Sequence, residues 1–174
     1  MFCFRWGHDT HRVKMPSKAN IWGHPIHPML VAFPIVLFIM TLIADVVYEA
    51  GWAGSDWSQF AYILLVGGVA AAVAAAITGL VEYSIIIGEE VKQTATAHML
   101  LNAGVVMLQV INLSYRGRAK GNHYWRNGWI FSLVSVLLLA ISGWLGQDLV
   151  YKHGMGFVWT GVPIAAERQR LVPA

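Results

Sequence analysis

The sequence predicts an all-α integral membrane protein, an up-and-down bundle of four transmembrane helices with both termini on the inner side (N-in/C-in). Composition is the first reason: 57% of the 174 residues are hydrophobic and only 12% are charged, far from the balance of a soluble domain. The second is that four nearly uncharged runs, 27–48, 60–82, 97–115 and 129–150, can be marked off. Each has about 20 residues or slightly more, enough to cross roughly 30 Å of hydrocarbon. The third is that every run carries its polar residues along one helical face, as a bundle with a polar interior requires. The expected organisation is a basic tail over 1–23, one membrane domain over 24–154, and a C-terminal tail over 155–174.

The first span opens with Gly23-His24-Pro25-Ile26-His27-Pro28. Pro28 suits the first position of a helix, where a missing N–H is no loss, which sets His27 at or next to the N-cap. Pro34 is expected to kink the span and free the carbonyl of Leu30. His27, Val31, Pro34, Phe38, Thr41, Asp45 and Tyr48 follow at steps of four and three, one stripe of a helix.

The second span, from Gly67 to Gly79, is a surface of glycine and alanine that lets neighbouring backbones approach, and it ends its stripe with Thr78 and Glu82. The third places His98, Asn102, Val105, Gln109, Asn112 and Arg116 on one face, and the fourth Ser132, Ser135, Leu139, Ser142, Gly146, Val150 and His153. No internal repeat is evident in the residues themselves.

Lys and Arg orient the bundle. With the N-terminus inside, the inner side collects Arg5, Arg12, Lys14, Lys18, Lys92, Lys152, Arg168 and Arg170, against Arg116, Arg118, Lys120 and Arg126 outside. Trp52, Trp57, Trp125 and Trp129 are expected in an outer aromatic belt, with Trp22 and Trp159 in the inner one.

Depth sharpens the picture. The starts of spans one and three and the ends of spans two and four share one membrane side, and there lie His24, His27, His98, His153 and Glu82. Outside the basic tail only His123, in a loop, falls on the other side. Asp45 stands 18 residues beyond His27 and Arg116 18 beyond His98, on helices running the same way. At 1.5 Å per residue both are about 27 Å deeper and therefore level with each other. Charges within spans are expensive unless paired, so Asp45 and Arg116 are expected to form an ion pair that locks two helices together.

The histidine cluster points to a ligand. Haem b needs two imidazoles at equal depth on facing helices with apolar walls, and His27 and His98, on alternate and hence diagonal helices, meet the depth condition. His24, His153 and Asn102 join them as cofactor-binding candidates. The competitor is a zinc, copper or iron ion held by His24, His27, His98 and His153 with Glu82. Against it, no span carries two ligands at His-x-x-Glu or His-x-x-x-His spacing. A third reading needs no cofactor: an accessory or assembly subunit of a larger respiratory complex.

Other functions are excluded on composition. The single cysteine, Cys3, leaves no intrachain disulfide and no thiolate site for metal or covalent haem. No cleavage site follows the first apolar run, which is expected to remain as an anchor. A net charge of +3 is ordinary for headgroup-seeking Lys and Arg and implies no nucleic-acid partner. No nucleophile–base pair or phosphate loop is visible, so no catalytic residues are assigned and an electron-transfer or accessory subunit is expected rather than a stand-alone enzyme.

Three segments carry a resemblance: 23–34 (Gly-His-Pro-Ile-His-Pro-Met-Leu-Val-Ala-Phe-Pro), 98–102 (His-Met-Leu-Leu-Asn) and 143–154 (Gly-Trp-Leu-Gly-Gln-Asp-Leu-Val-Tyr-Lys-His-Gly). They resemble the bacterial membrane family catalogued as domain of unknown function 2231, over roughly residues 20 to 156. The resemblance implies a four-span protein of a bacterial inner (cytoplasmic) membrane. Some members are joined to Rieske or cytochrome c domains, which points towards electron transfer. With all candidate ligands at one end, a quinone or another membrane redox subunit on that side is the expected partner. The family's histidine motifs fall on His24, His27, His98 and His153.

Overall fold

The computed structural model describes residues 19–156 other than 23, 53 and 120–125. The basic tail up to residue 18, Lys120, His123, Trp125 and the C-terminal tail from 157, with Trp159, lie outside the described residues.

Four long helices make up the chain: α1 (Ile26–Glu49), α2 (Asp56–Tyr83), α3 (Glu89–Arg118) and α4 (Gly128–Tyr151). All four are long and apolar enough to cross a membrane, and the protein is a multi-pass membrane protein. Before α1 two short strands, β1 (Asn20–Ile21) and β2 (His24–Pro25), pair antiparallel, with Ile21 opposite His24. Trp22 in their turn has φ 50, and the Ile26 N–H donates to the Ala19 carbonyl at 2.9 Å. This ribbon differs from the expected N-cap. Pro25 is the cap residue, so His27 is the second helical residue and Pro28 the third. Both prolines remain where a helix has no N–H to satisfy.

Helix α3 starts at Glu89, two turns ahead of the expected 97. The charged first turn misled the reading by apolar content, yet Glu89 and Glu90 favour the positive end of the helix dipole. Gly88, at φ 108, breaks the chain between α2 and α3. It takes a conformation open to glycine and strained for other residues.

Helix α1 packs mainly on α2 and α3 mainly on α4; the two hairpins meet through α1 with α4 and α2 with α3. The helices therefore run around the bundle in chain order, and α1 stands diagonally across from α3. Met29, Phe33, Val36, Leu100, Met107, Leu137 and Ile141 face outward, as a surface bathed in lipid should. The interior is the more polar side: Thr41, Gln109, Asn112, Ser132, Ser135 and Ser142 are all buried. Lipid tails are as apolar as leucine, so helix association in a membrane depends on close packing and interhelical hydrogen bonds. The apolar core is one small cluster of Phe38, Leu65, Ala72 and Val105. The Phe38 ring lies directly on the α2 backbone there, since a Cβ on Gly68 would fall 2.6 Å from it.

Burial exposes an internal repeat that residue identity had concealed. Pro34, Phe38, Thr41 and Asp45 are buried on α1. At the 71-residue separation between Asp45 and Arg116 their counterparts are Val105, Gln109, Asn112 and Arg116, all buried on α3. Likewise Ala61, Leu65, Gly68, Ala75 and Glu82 of α2 correspond, at one constant offset, to Gly128, Ser132, Ser135, Ser142 and Leu149, which are all of the buried residues of α4. The bundle is two α-hairpins of like design, running the same way through the membrane, related by a pseudo-two-fold axis along the membrane normal.

Candidate histidine site and buried ion pair

His27 is held by α2. Its Nδ1 lies 2.9 Å from the Ala75 carbonyl oxygen, and because a carbonyl only accepts, Nδ1 carries the proton and Nε2 the lone pair. Thr78 Oγ1 is 3.4 Å from the same nitrogen and donates to the same carbonyl at 2.9 Å. The ring lies on Gly79, where an added Cβ would come within 2.9 Å of Cε1.

His98 is held by α4 in the same manner. Its Nδ1 donates to the Ser142 carbonyl at 2.9 Å, with Ser142 Oγ at 3.0 Å. Its ring lies on Gly146, where a Cβ would stand 3.2 Å from Cε1. Ala75 corresponds to Ser142 and Gly79 to Gly146, so each imidazole is anchored to a carbonyl one turn before the glycine that makes room for it.

Asn102 modifies the second half. Its Nδ2 contacts the His98 carbonyl at 2.8 Å, Ser142 Oγ at 2.6 Å and His98 Nε2 at 3.2 Å. An amide has two hydrogens for these three acceptors, and the longest contact is the one to Nε2. That lone pair is the least committed acceptor of the three, and on His27 no hydrogen bond engages Nε2 among those described.

The remaining candidates sit at the same end. His24 is exposed on β2, His153 is half-buried just past α4, and Glu82 is buried near the end of α2. Among the described residues no three His, Cys, Asp or Glu side chains converge in a geometry that could hold a metal ion. His27 and His98 stand at the same end on diagonal helices, and among the described residues His24, His153 and Glu82 do not join them in a metal-holding group.

At the other end Asp45 and Arg116 meet as expected. Arg116 Nη2 donates to Asp45 Oδ2 at 2.7 Å, with the side chains 1% and 7% exposed. Arg116 Nε donates to Asn112 Oδ1 at 2.9 Å, and Ser132 Oγ donates to Asp45 Oδ2 at 2.8 Å. Gly128 leaves the space, since a Cβ there would lie 2.6 Å from Arg116 Nη2. Asp45 and Arg116 occupy equivalent positions in the two hairpins, so their contact marks where the pseudo-axis passes. Identical residues would set like charges against each other there. Opposite charges instead favour joining the first hairpin to the second.

The glycine and carbonyl parts of the histidine site were only half seen in the sequence. Ser142 and Gly146 stood on the predicted stripe of α4, whereas Ala75 and Gly79 were read as general close packing. The signal was present: Ala75-x-x-x-Gly79 and Ser142-x-x-x-Gly146 are the same small-residue spacing, each at the depth of a histidine on the neighbouring helix.

The family model for a predicted membrane protein, DUF2231, matches residues 23–158 of this chain. No curated protein and no solved structure gives a significant match.

Proposed function

The chain belongs to the DUF2231 family of predicted membrane proteins, and from that premise we propose that it is a membrane-embedded redox protein. It holds one haem b near one membrane surface and exchanges electrons there with a quinone or a partner subunit. One observation carries the reading: His27 and His98 are symmetry-equivalent, and each is anchored through Nδ1. A ligand nitrogen whose partner N–H is fixed on a carbonyl has its tautomer and ring orientation set in advance.

The donors would suit haem iron better than a bare ion. Two imidazoles suffice for the first, while an ion asks for three or more protein ligands, which do not converge among the described residues. When bound, haem supplies reversible one-electron exchange. His27 and His98 would hold and orient it, Gly79 and Gly146 leave the rings room, and Asn102 makes only its longest contact, 3.2 Å, to His98 Nε2. Lys92 and Lys152, at the same end of the bundle, offer positive charge to the propionates. Lys152 also donates to Asp148 at 2.6 Å. The protein sits in a bacterial inner membrane, as the family resemblance implies, and the Lys and Arg distribution favours this end facing the cytoplasm.

The test is an absorption spectrum. Purified protein reduced with dithionite should show the sharp α and β bands of six-coordinate low-spin haem, lost in His27→Ala and in His98→Ala. A colourless protein that co-purifies with a larger respiratory complex overturns the proposal in favour of an accessory subunit. Stoichiometric zinc or copper by elemental analysis overturns it in favour of an ion site.

A further inference from the structure

Comparison of the two hairpins singles out one place in the interior. In the first hairpin Phe38 and Gly68 meet, ring against backbone, within the apolar cluster. Their counterparts in the second are Gln109 and Ser135, both 0% exposed. Gln109 Nε2 and Ser135 Oγ are the two buried side-chain polar atoms without a hydrogen-bond partner among the described residues. The other end of the Gln109 amide is engaged, since Oε1 accepts from Asn112 Nδ2 at 3.1 Å. The amide is therefore held with its NH2 turned away from the Asp45–Arg116 network.

A buried donor without a partner is unfavourable, and the first hairpin shows that this fold has an apolar alternative with the same number of side-chain heavy atoms. A polar pocket supplied with a free donor and a free hydroxyl is where a buried water is held. We propose that Gln109 and Ser135 form a binding site for at least one internal water molecule. It accepts from Gln109 Nε2 and donates to, or accepts from, Ser135 Oγ. The network of Arg116, Asp45, Ser132, Asn112 and Gln109 is thereby extended towards the middle of the membrane, where Phe38, Leu65, Ala72 and Val105 stop it. This site is independent of whether the histidines bind haem.

Water-edited solid-state NMR of the full chain in lipid bilayers tests it. The Gln109 side-chain amide signal, identified by its loss in Gln109→Leu, should receive magnetisation from water as readily as the exposed Gln59 and Gln93, although Gln109 is sealed from the surface. No transfer to Gln109, with transfer to the other two intact, overturns the proposal. The double variant Gln109→Phe with Ser135→Gly installs the first hairpin's pair. It should fold with a Tm no lower than that of the wild type, and buried-water signal from this layer should vanish. Persistence of that signal in the folded variant would place the water elsewhere. Should the variant fail to fold, the wild-type measurement still decides.

Discussion

Removing Arg116 tests the energetics of the bundle most directly. In Arg116→Leu the Asp45 carboxylate, 6% exposed, loses the guanidinium at 2.7 Å and keeps the hydroxyl of Ser132 at 2.8 Å. Asn112 Oδ1 loses its donor as well. Breaking one side of a buried pair costs about 3–5 kcal/mol, most of it the penalty of the charge left behind. Asp45→Asn leaves Arg116 in the converse position and should destabilise by a similar amount. Neither charge remains in the double variant, so its loss should fall well short of the sum, with a coupling of about 2 kcal/mol or more. Reversible unfolding of the four proteins by denaturant titration in mixed micelles, followed by circular dichroism, supplies the cycle. Charge reversal, Asp45→Arg with Arg116→Asp, should recover only part of the stability, because Ala61 stands where its counterpart Gly128 makes way for a guanidinium. Losses that add across the cycle would refute the pair as a lock between the hairpins.

Three other predictions concern the histidine end and its consequences. Gly79→Ala sets a methyl 2.9 Å from His27 Cε1 and Gly146→Ala one 3.2 Å from His98 Cε1, so both should weaken cofactor retention, Gly79→Ala the more, read as absorbance per protein after purification. Asn102→Ala removes a donor to Ser142 Oγ and to the His98 carbonyl; a loss of about 1 kcal/mol in stability with the low-spin spectrum retained is expected, whereas loss of the spectrum would make Asn102 essential to binding. Both candidate ligands lie at one end, roughly 27 Å along the helices from the ion pair, and the other half holds no second histidine pair among the described residues. Protein alone in sealed liposomes should therefore fail to carry electrons from a membrane-impermeant reductant outside to ferricyanide inside, and sustained flow would disprove the single-centre reading.

The number of spans, their inward faces and the matched depths of His27 with His98 and of Asp45 with Arg116 were legible in the sequence. The reason is that lipid imposes one-dimensional rules. A span must be apolar over a set length, and its polar residues must share the face that turns from the tails, so spacing and rise suffice to read them. The β1–β2 ribbon and the early start of α3 were not legible, because they lie in the headgroup region, where charge and backbone pairing both satisfy the chain.

Only the tertiary structure decided the rest. It showed that Ala75 and Ser142 carbonyls set the imidazoles, that Gly79 and Gly146 receive them, and that Asp45 and Arg116 not only match in depth but touch. It also uncovered the repeat, which the sequence hid because equivalent positions carry unlike residues: Phe38 with Gln109, Leu65 with Ser132, Asp45 with Arg116. What the two hairpins share is the burial of most equivalent positions, and burial belongs to packing among four helices, a property no single segment carries. Asp45 and Arg116 differ where the pseudo-axis brings them into contact, since in a low-dielectric interior two like charges repel and two unlike ones bind.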